Sequence, residues 1–397
     1  MEPRLRGSDA VIVDAVRSPI GRRQGGLSTF HSADLLGTVL AELVSRSGIE
    51  AELVDQVFGG CISQVGQQSF NVTRTAWLTA GLPMSVPATT VDSQCGSSQQ
   101  SLTLAHGLIG AGLIDVAVAC GVEVMSRVPM GSSLSTGVGK AMPRSYFSRY
   151  KFTTQFEAAE LIAQKWGITR EEADLFGYES QQRAAAAWDE HRFDTQVLPV
   201  EAPVLGEDGR PTGATTRVDR DECMRETTIE GLSQLKPVVN EEGVHTAGTS
   251  SQIADAASAV LAMSRDRASG LGLTPQVRVA DSLLVAGDPT LLLAEPIQAT
   301  RMLLDRNGLS IDDIDVFEIN EAFASVVIAW ERELKPDHQR VNPNGGAIAL
   351  GHALGSTGSV LVTKAINELK RSDAQWALVT MCCGGGLATA TLLENER

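Results

Sequence analysis

Apolar residues recur along this chain at two periods. Leu104, Ala105, Leu108 and Ile109 fall one helical turn apart after a run of small residues, which predicts a helix reaching about Ala111. A β-like stretch from Asp115 to Cys120 follows, ending in this reading at Gly121. The same order returns near the C-terminus. There Gly355-Ser356-Thr357-Gly358-Ser359 leads into a helix whose Val362, Ala365, Ile366 and Leu369 share one face. A strand from Trp376 to Met381 and a glycine-rich turn come next. One pattern of turn, helix and strand written twice predicts an α/β chain with two similar halves.

Between them, over roughly 122–248, the character changes. Residues 126–146 are polar and glycine-rich, hence loop-like. Residues 168–193 read as a helix with Thr169 as N-cap and acidic residues in the first turn. Residues 204–213 form a turn-rich hairpin candidate. This middle section reads as an insertion carried on the first half. The chain returns to that half near 249–275, and the second half occupies about 276–397.

Length and composition narrow the function classes. A chain of 397 residues can bury more than one core. No apolar run approaches the ~20 residues that span a bilayer, and the first residues enter a strand pattern without a signal-peptide stretch. A soluble, cytoplasmic protein with no membrane partner is therefore expected. A formal net charge of -15 argues against nucleic acid as a partner, yet leaves room for a phosphorylated ligand held by a local basic spot. Six cysteines (61, 95, 120, 223, 382, 383) in so long a chain are not a disulfide framework, and without a Cys-x-x-Cys pair no metal site is expected.

Candidate chemistry gathers at strand ends and glycine-rich turns, where α/β folds keep it. Cys95 sits in Val91-Asp92-Ser93-Gln94-Cys95-Gly96-Ser97-Ser98, at the predicted opening of a helix. Unpaired N–H groups and the helix dipole there favour thiolate over thiol, and small neighbours leave space for an electrophile. His352 lies inside NPNGGAIALGHALGSTGS at 342–359. Cys382-Cys383 and three glycines close the strand-like ALVTMCC run, and Asn320-Glu321-Ala322-Phe323 follows the strand-like Val316–Ile319. Each has a structural reading as well: a core cysteine, a satisfied histidine, or a helix cap at Asn320. Glu321 reads as closing a capping arrangement and Cys383 as core, while Cys61, Cys120 and Cys223 belong to no motif.

Taken in order, these segments resemble the thiolase family, with its nucleophile motif at Cys95, Asn-Glu-Ala-Phe at 320–323, Gly-His at 351–352 and Cys-x-Gly-Gly at 382–385. Further matching stretches run at 14–27, 59–83 and 246–260. The resemblance implies a thiolase fold of two five-layered αβαβα halves, residues 1–121 with 249–275 and residues 276–397. It also implies a loop domain, 122–248, that holds coenzyme A. The implied reaction is reversible CoA-dependent cleavage of a 3-ketoacyl-CoA to acetyl-CoA and a shortened acyl-CoA. Cys95 would be the nucleophile, His352 its base, and Cys382 the acid and base at the enolate. Asn320 would hold a water, and Gly384 would supply a backbone oxyanion donor. For coenzyme A, which is a substrate with no prosthetic group needed beside it, Ser251 and Arg225 are the candidates. A homodimer or homotetramer is expected, with 126–146 as the assembly element.

Departures from the family pattern bear on the substrate. Ala353 stands where proline is usual and Ala256 where glycine is frequent. Short-chain members often carry Met-Gly-x-Thr-Ala-Glu where this chain has Gln155-Phe156-Glu157-Ala158-Ala159-Glu160. That difference resembles actinobacterial degradative thiolases that accept bulky acyl chains, including steroid side chains. The alternatives are a biosynthetic acetyl-CoA C-acetyltransferase forming acetoacetyl-CoA, a decarboxylating ketoacyl synthase, and a non-catalytic thiolase-like lipid carrier.

Overall fold

The computed structural model describes residues 9–134, 137 and 139–396. Part of the predicted assembly loop, residues 135, 136 and 138, therefore lies outside the described residues. Strands in chain order are β1 (Ala10–Arg17), β2 (Gly21–Arg22), β3 (Gln56–Gly60), β4 (Ala88–Val91), β5 (Val116–Val124) and β6 (Val200–Leu205). They continue as β7 (Pro211–Val218), β8 (Ala254–Ser264), β9 (Val277–Ala286), β10 (Val316–Ile319), β11 (Trp376–Cys383) and β12 (Leu387–Asn395).

Ten of these strands form one sheet, whose main path runs β10-β11-β12-β9-β1-β8-β5-β3-β4 with β2 beside β8. The two halves repeat a rule. β3 and β5 pair in parallel, then β5 with β8 and β8 with β1 antiparallel. β10 and β11 likewise pair in parallel, then β11 with β12 and β12 with β9 antiparallel. β1 and β9 meet antiparallel at the centre, Val11 opposite Arg278 and Ile12 opposite Val277. The repetition suspected from the hydrophobic pattern is thus a repetition of strand order and sense.

Buried strands read as near-continuous apolar runs because both faces are covered. One face packs on helix Ser32–Ser47 and its neighbours, with Leu35, Leu36, Val39 and Leu40 all buried. The opposite face of the first half and the matching face of the second share a core under helices Ser97–Gly110 and Thr357–Ser372. These two helices cross closely at their starts. A Cβ on Gly358 would stand 2.4 Å from the Gln99 nitrogen, so glycine alone fits there. Beside it, the Ser359 N–H donates to the Ser98 hydroxyl at 2.9 Å.

The predicted helix at 168–193 is Arg170–Asp189, and Thr169 caps it with Glu172 in a reciprocal capping box. The hairpin expected at 204–213 is β6–β7, longer at both ends. One boundary differs. β5 does not end at Cys120 but runs through Gly121 to Val124. Gly121 is not a turn residue: the Gly355 carbonyl oxygen lies 2.2 Å from where its Cβ would be. The glycine marks a close approach within a strand.

Candidate active site

Cys95 stands two residues before helix Ser97–Gly110, in a turn built by local polar groups. The Gln94 N–H donates to the Asp92 carboxylate at 2.8 Å, and the Ser97 hydroxyl donates to the Gln94 carbonyl at 2.5 Å. Gln94 takes a left-handed φ of 53°, which costs an ordinary L-residue about 1–2 kcal/mol. Such local strain, held by neighbours, presents the next side chain outward. Cys95 is accordingly half-buried, whereas the other five cysteines are buried.

The sulfur of Cys95 faces the backbone N–H of Gly384 as well as its own. Cys382 lies near enough for a thiolate at Cys95 to raise its pKa. It is fully buried in an apolar cluster with Ala158, Ala159, Ile162, Phe323 and Val326. Cys383 points to the other face of β11, as alternation along a strand requires. There its sulfur packs on Gly96 and bonds weakly to the Met381 carbonyl at 3.6 Å, a structural role.

Asn320 follows β10 and donates its backbone N–H to Thr380 of β11. Its side-chain nitrogen lies 3.4 Å from His352 Nε2, and its Oδ1 is buried with no hydrogen-bond partner. His352 is fixed from three sides. Its backbone N–H donates to Gln252, its Nδ1 lies 2.7 Å from the Thr357 hydroxyl, and Nε2 faces Asn320. Asn320 is not a helix cap, since helix Ala324–Leu334 begins after Phe323 with no side-chain cap.

Glu321 does not close a capping arrangement either. Buried, it accepts from the Ser180 hydroxyl at 2.6 Å, Asn342 Nδ2 at 3.0 Å and the Ile348 N–H at 3.2 Å. It thereby pins the glycine-rich segment leading to His352. Lys364 adds a second pin, meeting Glu318 at 2.7 Å and the Gly345 carbonyl at 2.6 Å, with both charged side chains buried. Burial, offset by Lys364, leaves Glu318 raised to about 7.

The electrostatics overturn one expectation. The helix start was expected to favour thiolate at Cys95, but burial pushes its pKa up to about 11, and the Gly384 and Cys95 N–H groups recover only part. Burial also drives His352 down to about 4 and Cys382 well above the usual thiol range. Burial of both groups favours a neutral thiol and a neutral imidazole in the empty site. The helix dipole falls off within its first turn and loses to desolvation.

Of the two coenzyme A candidates, Arg225 lines a cavity of about 310 Å³, with Thr228, Leu235, Ala247, Gly248 and Gln252 among its other walls. Arg225 is exposed and donates to Gln252 Oε1 at 2.8 Å. Ser251 does not line this cavity; it is half-buried, and its N–H donates to the Ala322 carbonyl. Gln252 escaped the sequence reading. It bonds Arg225, Cys223 and Ile348 through its side chain, and its carbonyl accepts from His352. Thr357 and Gln252 are polar residues next to motif positions, which is the one signal that could have flagged them.

Two family models cover the chain, a thiolase N-terminal domain over residues 10–266 and a thiolase C-terminal domain over 273–395. A steroid 3-ketoacyl-CoA thiolase of Mycobacterium tuberculosis is 43% identical, over 98% of this chain and 94% of that protein. A 3-ketoacyl-CoA thiolase of Bacillus subtilis is 39% identical over 97% and 99%, and a beta-ketoadipyl-CoA thiolase of Acinetobacter baylyi 40% over 97% and 99%. The crystal structure of human mitochondrial 3-ketoacyl-CoA thiolase superposes with a TM-score of 0.87 at 31% identity, covering 98% of this chain and 100% of that one.

Proposed function

Because the chain belongs to the thiolase family, we propose that it cleaves a 3-ketoacyl-CoA with coenzyme A, through an acyl thioester on Cys95, in the degradative direction. The strongest support is the Cys95 sulfur at the Gly384 N–H, with Cys382 close enough to feel its charge, together with the Asn320–His352 pair at 3.4 Å.

His352 Nε2 takes the Cys95 proton as the sulfur adds to the ketone carbon. Sulfur–carbon bond formation and proton loss proceed together, since a free thiolate is disfavoured in the empty site. The alkoxide accepts hydrogen bonds from the imidazolium and from a water held by Asn320, whose Oδ1 has no protein partner. The alkoxide collapses, the bond between the ketone carbon and its neighbour breaks, and the electron pair passes to the acetyl-CoA enolate. Cys382 gives that carbon its proton. Incoming coenzyme A returns a proton to Cys382 and attacks the acyl thioester. The resulting oxyanion faces the N–H groups of Cys95 and Gly384. Cys95 leaves as thiolate and recovers its proton from His352, so the cycle balances.

Within this reading the loop domain expected at 122–248 starts after β5 ends at Val124 and holds coenzyme A, with Arg225 at the phosphates and Ser251 at the pantetheine arm. For the acyl group we infer an apolar, bulky chain. Phe156 packs edge-on against Phe323 at 5.1 Å, near Cys382, and the exposed rings of Phe147, Tyr150 and Phe152 lie just upstream. The assembly proposed is a homodimer or homotetramer in the cytoplasm. β4 ends the sheet, with Phe70 95% and Met84 83% exposed nearby, surface that a second copy would cover. No helix among the described residues is long and apolar enough to cross a membrane.

A graded panel of 3-ketoacyl-CoA substrates, assayed for CoA-dependent cleavage with intact-mass detection of the acyl adduct, tests this. Cleavage of none, with no adduct on Cys95, overturns the activity. Acetoacetyl-CoA cleaved far better than long or branched chains overturns only the acyl class and favours the biosynthetic alternative.

A further inference from the structure

His352 is held at both ring nitrogens, and none of its hydrogen bonds goes to a carboxylate. Nδ1 lies 2.7 Å from the Thr357 hydroxyl oxygen, which lies 3.0 Å from the Ala353 carbonyl oxygen. On the far side of the ring the Asn320 amide nitrogen stands 3.4 Å from Nε2. A hydroxyl has one proton and two lone pairs, an amide nitrogen only donates, and a carbonyl only accepts. With the Asn320 amide nitrogen toward Nε2, and its Oδ1 left without a protein partner, one proton arrangement serves the ring, the hydroxyl and the carbonyl. The Asn320 N–H points at a bare Nε2, Nδ1 carries the ring proton and gives it to Thr357, and Thr357 passes its own to Ala353. Ala353 also accepts the Ser356 and Thr357 N–H groups, so the carbonyl is the anchor of this turn.

We propose that Thr357 is a positioning residue for the base: its hydroxyl holds the Nδ1–H tautomer of His352, leaving Nε2 as the single proton-exchange site. The proposal rests on the thiolase reading, in which Nε2 receives the Cys95 proton. A neutral hydroxyl in place of a carboxylate has a consequence. It orients the ring in both protonation states but does not hold the imidazolium as a buried anion would, so the proton is returned readily. Reversible carbon–carbon bond cleavage needs a base that lets go. Thr357 occupies the first position of helix Thr357–Ser372, where its N–H already bonds Ala353, so the hydroxyl is fixed by the helix start that meets the Cys95 turn.

The test uses the full chain labelled with ¹⁵N-histidine, together with Thr357→Val, which keeps the shape and loses the hydroxyl, and Thr357→Ser, which keeps the hydroxyl. The ring ¹⁵N shifts should show His352 with Nδ1 protonated and Nε2 bare in the parent protein, and a change of tautomer in Thr357→Val. Rapid-quench acylation of Cys95 by a 3-ketoacyl-CoA should slow by about 10- to 100-fold in Thr357→Val with KM nearly unchanged. That is less than the ~10⁴ lost when a charged partner is neutralised. Thr357→Ser should restore both readouts. An Nε2–H tautomer in the parent protein, or acylation in Thr357→Val within twofold of the parent, overturns the proposal. Should Thr357→Val not fold, the parent tautomer and the rate of Thr357→Ser decide. A parent protein with Nδ1 protonated but no acyl adduct from any substrate would instead overturn the thiolase reading and leave the positioning intact.

Discussion

Cys95 and His352 occupy matching places in the two halves, each just before the helix that packs under its half of the sheet. They are held there differently. The Cys95 turn is built from neighbours in sequence: an Asp92 carboxylate accepting from the Gln94 N–H, a Ser97 hydroxyl accepting from the Ser93 N–H, and one strained φ at Gln94. The His352 segment, which begins at Asn342, is held largely from afar: Glu321 and Ser180 bond it directly, and Glu318 holds Lys364 of the following helix against its Gly345 carbonyl. The first turn leaves its side chain half-open to a substrate. The second is sealed and rigid. A nucleophile must be reached, whereas a base must be aimed, and the two halves spend their local structure accordingly.

The largest test of this division removes the nucleophile. Cys95→Ala should lower kcat by about 10⁴–10⁶ and abolish the acyl adduct in intact-mass spectra, while the fold, fixed by the surrounding turn, stays intact by circular dichroism. A persistent adduct on another cysteine would break the assignment of roles. Cys382→Ala should divide the reaction. The adduct on Cys95 should still form after mixing with acyl-CoA, but CoA-dependent cleavage should fall by about 10²–10⁴, since a general acid is lost. Normal turnover would remove the second thiol from the mechanism.

The difference in anchoring predicts a difference in stability. Lys364→Met leaves the Glu318 carboxylate buried without its cation, which should cost about 3–5 kcal/mol and lower the denaturation midpoint measured by fluorescence. The double variant Lys364→Met with Glu318→Leu should regain much of that. Asp92→Asn, in the exposed Cys95 turn, should cost about 1 kcal/mol or less. Equal losses at the two places would erase the contrast between locally and remotely held sites.

The Cys95 turn was legible in the sequence because its determinants lie within a few residues: a serine- and glycine-flanked cysteine before an apolar helical period. His352, Asn320 and Cys382 stand out by their places at strand ends and glycine-rich turns, but their expected roles come only through family resemblance. Their holders were not legible. Glu321 reads locally as a capping residue, and only the folded chain brings Ser180 and Asn342 to it. Gly121 reads as punctuation because nothing nearby shows that the Gly355 carbonyl will press against it. The protonation of Cys95 escapes the sequence for the same reason. A dipole argument uses neighbours in sequence, whereas desolvation depends on everything that packs around the sulfur.

That opposition of dipole and burial yields the smallest and sharpest prediction. A thiol with its pKa raised to about 11 and a histidine lowered to about 4 leave neither group titrating near neutrality in the empty site. The thiolate fraction of Cys95 then rises about tenfold per pH unit below its pKa. Iodoacetamide labelling of Cys95, followed by peptide mass, should therefore climb with a slope near one in log rate from about pH 7 to 10, with no plateau. A thiolate–imidazolium pair would behave in the opposite sense: flat across neutrality and falling only in acid. A plateau below pH 8 would mean that the N–H groups of Gly384 and Cys95 outweigh burial, and would make the open turn, rather than the sealed one, the place where charge is stored.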